Sequence, residues 1–403
     1  MPKHIFSVLV ITGGLLSIPA YAVDGPAAVQ FDGGPLGPLE FSAGADGYFY
    51  FQSGTSSNSN ESIVGDKPTG ANVDAWMIQL HKATGLVQFT VQLAEWKDIT
   101  IGASKPEEVN GNRFTTGPLR SAFVTLAPTS DFKFSIGQVP SVEGYESVFP
   151  WNNSVGLQTV AFFVENSNSR GVQVDYSHGP LAGTVVFGDG YDTGVWNYVQ
   201  FIGTDKINTN NAVAIFGGIP LGVTGPSTFA YGEGGMSGGG ANGNGGQGQL
   251  ANVNSHMLGA WYIWAANGLS ITPQIQVQWT GHQSKYANVF SGGVSDDIPK
   301  ETGNLVAALF ANYKFADSPW SIGAWGEYAT SHGSGAQDTW FVAPNAELAG
   351  FAVAPAYQYK QLFSRLNVGY VHLLNSGTPS AGYGDGGTGK NQVVTTLEFA
   401  LVY

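Results

Sequence analysis

The chain of 403 residues carries few charges: Asp, Glu, Lys and Arg make up 11% of it, against roughly a quarter in an average soluble protein. Its formal net charge of −13 argues against a nucleic-acid partner, and with no cysteine it has neither a disulfide framework nor a thiolate metal cluster. The hydrophobic fraction is an ordinary 43%, so glycine and aromatic residues fill the gap, as they do where each strand turns one face to lipid.

A basic start at Lys3, an apolar run over residues 5–18 and the small-residue end Ala20-Tyr21-Ala22 have the layout of a cleaved secretory signal. Residues 1–22 are therefore expected to be removed, leaving 23–403 as one domain. No later stretch offers the run of about eighteen apolar residues that a membrane helix needs. A Gly/Pro-rich lead over 24–38 precedes a first expected strand at 41–51, where Phe41, Ala43, Ala45, Phe49 and Phe51 share a face. After a Ser/Asn-rich segment, Trp76, Ile78 and Leu80 alternate with Met77, Gln79 and His81. Across a short turn, Val87, Phe89, Val91 and Leu93 alternate with Gln88, Thr90 and Gln92. This pattern predicts a hairpin with one wet and one apolar face.

The alternation is cleanest over 269–279, where Ser270, Thr272, Gln274, Gln276 and Gln278 form an unbroken neutral polar row; Pro273 marks an expected bulge. Short connections at 82–85, 127–131, 177–180, 204–209, 265–268, 316–319 and 360–362 alternate with longer Gly-, Ser-, Asn- and Asp-rich ones. Short periplasmic turns and long external loops are the record of chain direction in a membrane barrel. They predict an all-β fold, a transmembrane antiparallel β-barrel of about sixteen strands. The strand-like stretch 157–164 breaks that alternation if counted as a crossing, so it is assigned to a long connection that folds into the lumen. At the end of the chain, Val393, Thr395, Leu397, Phe399, Leu401 and Tyr403 face one way and Glu398 the other. Such a strand must pair on both sides, which predicts closure against the first strand of the mature chain.

The segment Gly137-Gln138-Val139-Pro140-Ser141-Val142-Glu143-Gly144-Tyr145-Glu146-Ser147-Val148-Phe149-Pro150-Trp151-Asn152-Asn153 resembles the OmpL-like β-barrel porin family. So do Asn168-Ser169-Arg170-Gly171-Val172-Gln173-Val174-Asp175-Tyr176, Gly179-Pro180-Leu181 and Gly188-Asp189-Gly190. The resemblance implies a barrel in the outer membrane of a Gram-negative bacterium, set in lipid, passing small hydrophilic solutes or ions. It also implies assembly by the barrel-assembly machinery through the C-terminal strand and allows a homotrimer.

Within such a barrel, Glu143, Glu146 and Glu165 are expected at the constriction, where a low-dielectric wall makes carboxylates attract cations. Strand alternation points Asp175, Lys314, Glu327, Arg365 and Glu398 inward as pore-lining residues. The competing reading keeps these charges as solvated loop groups or paired struts in a closed barrel whose external loops serve a structural or adhesive role. The run 232–248 contains Gly238-x-Gly240-x-x-Gly243, which follows no βαβ unit and reads as an external loop rather than a phosphate cradle. Seven histidines without ligand spacing give no metal site, and no Ser and His motif marks a hydrolase. Neither a cofactor nor catalysis is expected. Trp76, Trp96, Trp261, Trp264, Trp279, Trp320 and Tyr403 are expected in interfacial girdles.

Overall fold

A computed structural model describes residues 28–56, 67–96, 99–102, 118–166, 168–191, 193–224, 254–281, 301–333, 345–377 and 382–403. The expected signal at 1–22 and the glycine-rich run at 232–248 lie outside the described residues. A short strand β1 (Val29–Asp32) precedes the barrel, which begins with β2 (Pro38–Gln52), β3 (Thr69–Lys82), β4 (Val87–Trp96) and β5 (Leu119–Leu126). It continues through β6 (Phe132–Pro140), β7 (Asn168–His178), β8 (Leu181–Asp189), β9 (Trp196–Asn208), β10 (Asn211–Pro220) and β11 (His256–Ala266). The circuit ends with β12 (Leu269–Thr280), β13 (Thr302–Lys314), β14 (Trp320–His332), β15 (Ala346–Tyr359), β16 (Leu362–Ser376) and β17 (Asn391–Val402). These sixteen strands, β2 to β17, pair antiparallel in sequence order and close on themselves.

Closure runs through β17, which pairs with β2 from Val394↔Gln52 to Val402↔Gly44. Tyr403 and Ala43 then exchange both backbone hydrogen bonds, at 2.6 and 2.7 Å. Below that point β2 outlasts its partner, and β1 takes up the remaining edge from Val29↔Phe41 to Asp32↔Pro38. The sequence reading had no strand there. An unpaired strand end costs its backbone hydrogen bonds, and the lead segment supplies them despite its glycines and prolines.

The short turns fall at the expected places, although β9 runs on to Asn208, so that turn is tighter than 204–209. Residues 157–164 are not a strand; they include a helical turn, α1 (Val160–Phe163). Pro273 makes no bulge: β12 keeps one register with β13 from Leu269↔Tyr313 through Pro273↔Leu309 to Thr280↔Thr302. The ladder absorbs the one missing donor without a shift.

Alternation sorts the two faces. Along β12, Ser270, Thr272, Gln274, Gln276, Gln278 and Thr280 are buried inside, while Ile275 is 53% exposed outside. Trp264, Tyr313, Trp320, Tyr357 and Tyr403 are exposed near the short-turn ends, with Trp196 exposed near the other end. Two tryptophans depart from the expected girdle. Trp96 is buried within the lumen, and Trp261 packs inward against Tyr145 with ring centroids 6.1 Å apart.

Candidate functional site

The segment 141–166 between β6 and β7 lies inside the barrel, and its sequence explains why it stays there. Val155, Leu157, Val160, Ala161 and Val164 are buried against an inner wall that is itself apolar: Val306, Ala308, Phe310, Trp325, Leu348, Ala352, Ala354 and Val371. Small inward residues on β15 leave room for the segment's larger ones. Val148, Phe149, Trp151 and Phe162 form a second cluster with Ala75, Met77, Trp96, Phe363, Ala400 and Val402. On the far side, Val142 and Tyr145 pack on β10 and β11 through Phe216, Met257 and Ile263. The hydrophobic effect therefore seats the loop on β10, β11 and β13 to β17, with Phe149 also on Trp96 of β4 and Val142 on Phe123, Val139 and Val186 of β5, β6 and β8; elsewhere the inner faces of β4 to β9, like that of β12, are rich in Gln, Ser and Thr.

Polar groups fix its register. Arg365 donates through Nε and Nη2 to Glu398 Oε2 at 2.8 and 2.6 Å, through Nη1 to the Asn153 carbonyl at 2.7 Å and through Nη2 to the Pro150 carbonyl at 3.0 Å. Asn367 accepts from the Gly156 amide at 2.8 Å and donates to Thr396 and to Glu398 Oε1 at 2.8 and 2.7 Å. Trp325 Nε1 donates to the Leu157 carbonyl at 2.6 Å, and Gln276 and Gln278 donate to the carbonyls of Ala161 and Val164, each at 3.2 Å. The loop's own turns pair the Pro150 and Ala161 carbonyls as well, through the Asn153 and Val164 amides, and the wall groups satisfy Asn153 and Leu157, which would otherwise be buried unpaired. Gly156 and Gly323 are required by the close approach: a methyl group on Gly156 would fall on Glu398 Oε1, and one on Gly323 would fall on the Ser154 carbonyl.

The loop brings Glu143 and Glu146 each into electrostatic reach of Glu165. Glu143 is buried and accepts from the Asn166 amide at 3.0 Å and the Tyr198 hydroxyl at 3.2 Å. Glu146 accepts from the amide and hydroxyl of Thr159, the amide at 3.2 Å. Burial outweighs these hydrogen bonds and pushes both carboxyls up to about 7. Glu165 is raised well above the carboxylate range, first by burial and then by Glu146 and Glu143. Glu327, inward on β14, extends the row: its Oε2 accepts from the Val160 amide at 3.0 Å, and it lies within reach of Glu146.

The remaining inward expectations divide. Asp175 is buried on β7, accepting from Gln173 at 2.9 Å and from Thr184 at 2.8 Å. Arg365 and Glu398 form the loop clamp. Lys314 keeps the inward parity, opposite Ser321, but ends β13 at the short turn, where it is exposed at the rim. Alternation missed two inward charges because bulges reverse it. Across β2 and β3 the register passes from Asp46↔Ala75 to Gly47↔Val73, so Asp74 and Ala75 both face inward. Across β4 and β5 it passes from Gln92↔Ser121 to Leu93↔Leu119, which turns Arg120 inward beside Ser121.

Among solved structures, the chain resembles the anion-selective porin of Comamonas acidovorans at 9% identity and a TM-score of 0.55, covering 94% of this chain and 100% of that one. The trimer form of OmpT of Vibrio cholerae, folded in vitro, matches at 10% identity and a TM-score of 0.54, over 91% of this chain and 99% of that one. Salmonella typhi OmpF in complex with daunomycin matches at 13% identity and a TM-score of 0.52, over 93% and 100%. At such identities the likeness shows the fold alone. No curated protein sequence matches the chain. Residues 38–402 match the family "Putative beta-barrel porin-2, OmpL-like". The chain belongs to that family, and its place is the bacterial outer membrane.

Proposed function

We propose that this barrel lets small hydrophilic solutes diffuse passively across the outer membrane, with a mild preference for cations. The observation that carries the preference is the charge sorting inside the barrel. Among the described residues, Glu143, Glu146 and Glu165 on the loop join Glu327, Asp46, Asp74, Asp175 and Glu398 on the wall, set against Arg120, Arg365 and, opposite Asp175, Lys133. An acidic lumen bounded by low-dielectric walls raises the local concentration of cations and lowers that of anions. The route favoured by the packing follows the Gln-, Ser- and Thr-rich faces of β4 to β9, past the loop's carboxylate edge. In this reading Glu143, Glu146 and Glu165 set the constriction, and Asp175, Glu327, Arg365 and Glu398 line or brace the wall. The C-terminal strand engages the barrel-assembly machinery, and the barrel associates as a homotrimer in lipid.

The test is reversal potential across a planar bilayer under a salt gradient. A cation-favouring potential that weakens in Glu143→Gln and Glu146→Gln supports the reading; a potential unchanged by both substitutions removes those residues from the constriction. A second reading is favoured by the apolar seating of Leu157, Val160 and Trp151, all 0% exposed: a closed structural or adhesive barrel that works through its external loops. A folded barrel that never conducts would select it.

A further inference from the structure

Two of the three described arginines use the same edge of the guanidinium in the same way. Arg365 places Nε and Nη2 on Glu398 at 2.8 and 2.6 Å, and Arg170 places Nε and Nη2 on Asp189 at 2.8 and 2.6 Å. In Arg120 that edge meets no carboxylate. Its Nε is buried without a hydrogen-bond partner, and its side-chain hydrogen bond to Gln92 Oε1, at 2.8 Å, uses Nη1 on the far edge. The neighbouring Ser121 hydroxyl, inward by alternation opposite Gln92, is likewise buried without a partner.

The side chain is held as if for a purpose. Its guanidinium carbon lies 5.6 Å from the Trp96 ring centroid on the wall and 5.2 Å from that of Phe149 on the loop. Gln138 Nε2 fixes the bulge by donating to the carbonyls of Leu119 and Arg120, at 2.8 and 2.9 Å. Rings attract the cation without using its N–H groups, so the fork keeps its capacity for a planar oxyanion. A bulge that turns a charge away from lipid and a free bidentate edge are independent observations with one explanation.

We propose that Arg120 is a binding station for the carboxylate or phosphate group of a solute, held bidentate through Nε and Nη2 with Ser121 Oγ as a neighbouring donor. The route by which the solute reaches it rests on the porin reading; the ligand chemistry rests on Arg120. The station acts locally within an acidic lumen, so it retains solutes bearing one such group without making the pore anion-selective.

The experiment titrates succinate and inorganic phosphate separately into the refolded full chain in detergent by calorimetry, beside wild-type, Arg120→Gln and Gln92→Glu barrels. Each is first checked for the gel mobility shift of a folded barrel. Succinate binding alone identifies a carboxylate station and phosphate binding alone a phosphate station. Loss of a charge-assisted fork weakens binding by about tenfold or more in Arg120→Gln. Gln92→Glu, which keeps the volume and gives Arg120 an internal carboxylate, removes binding as well and serves if Arg120→Gln does not fold. Binding unchanged in either folded variant, or no binding of either anion to wild type up to about 100 mM, overturns the proposal. Arg120-dependent binding by a barrel that never conducts would instead sink the porin reading and leave the station.

Discussion

Replacing Arg365 tests whether the loop is clamped to the wall by one buried ion pair. Arg365 and Glu398 are each 0% exposed, and the guanidinium also holds the Asn153 and Pro150 carbonyls. Among the described residues, Arg365→Gln leaves Glu398 buried with Asn367 as its one donor, at 2.7 Å, and takes the donor from the Asn153 carbonyl, while the Pro150 carbonyl keeps the Asn153 amide. Removing one partner of a fully buried pair costs about 3–5 kcal/mol. Glu398→Gln is milder, because the amide oxygen still accepts from Arg365 and the loop carbonyls keep their donors; about 1–3 kcal/mol is expected for the weakened charge-assisted bonds. The double variant no longer leaves an isolated charge, so it should fall short of the sum of the single losses by at least about 1 kcal/mol. Equilibrium unfolding of each variant in lipid vesicles with urea, followed by tryptophan emission, gives all terms of the cycle. Additivity within about 0.5 kcal/mol would refute the coupled clamp and reduce Arg365 to an independent lumenal charge.

The loop carboxyls make selectivity depend on pH. Glu143 and Glu146, both pushed up to about 7, are largely neutral in mildly acidic solution and ionise as pH rises through neutrality. Cation preference by reversal potential should therefore grow between about pH 5.5 and 8.5, and the slope should vanish when both are glutamine. The sign for loop seating is opposite: a raised carboxyl contributes stability that is present below its ordinary value of 4.5 and lost as pH rises through about 7, so current noise from loop motion should increase on the alkaline side. Gly156→Ala pushes a methyl group onto Glu398; the barrel should still fold, with the loop displaced and single-channel current steps less uniform, and steps identical to wild type would show that the approach is looser than described. Deleting residues 28–33 exposes the β2 edge that β1 covers, which should lower the urea midpoint modestly while leaving reversal potential unchanged.

How much of this was legible in the sequence depended on whether a feature follows the period of two. The turns, the sixteen strands and the closing face from Val393 to Tyr403 do follow it, because lipid on one side and a polar lumen on the other impose opposite demands on successive residues. Where the lumen is not wet, the signal changes. Over β15, Ala346, Leu348, Ala352, Ala354 and Ala356 face inward while Phe351, Pro355 and Tyr357 face outward, so both faces are apolar. That departure could have announced that something apolar occupies this side of the barrel, and residues 157–164 supply it. Asp74 and Arg120 fail the period for a different reason. Counted by alternation from Trp76 and from Phe123, each falls on the lipid face, where an ionised group is costly. One extra residue in the strand turns each inward instead. A charge placed on the wrong parity of an otherwise regular strand is thus itself a sequence signal for a bulge, and here it leads to the inward charges that alternation alone passed over.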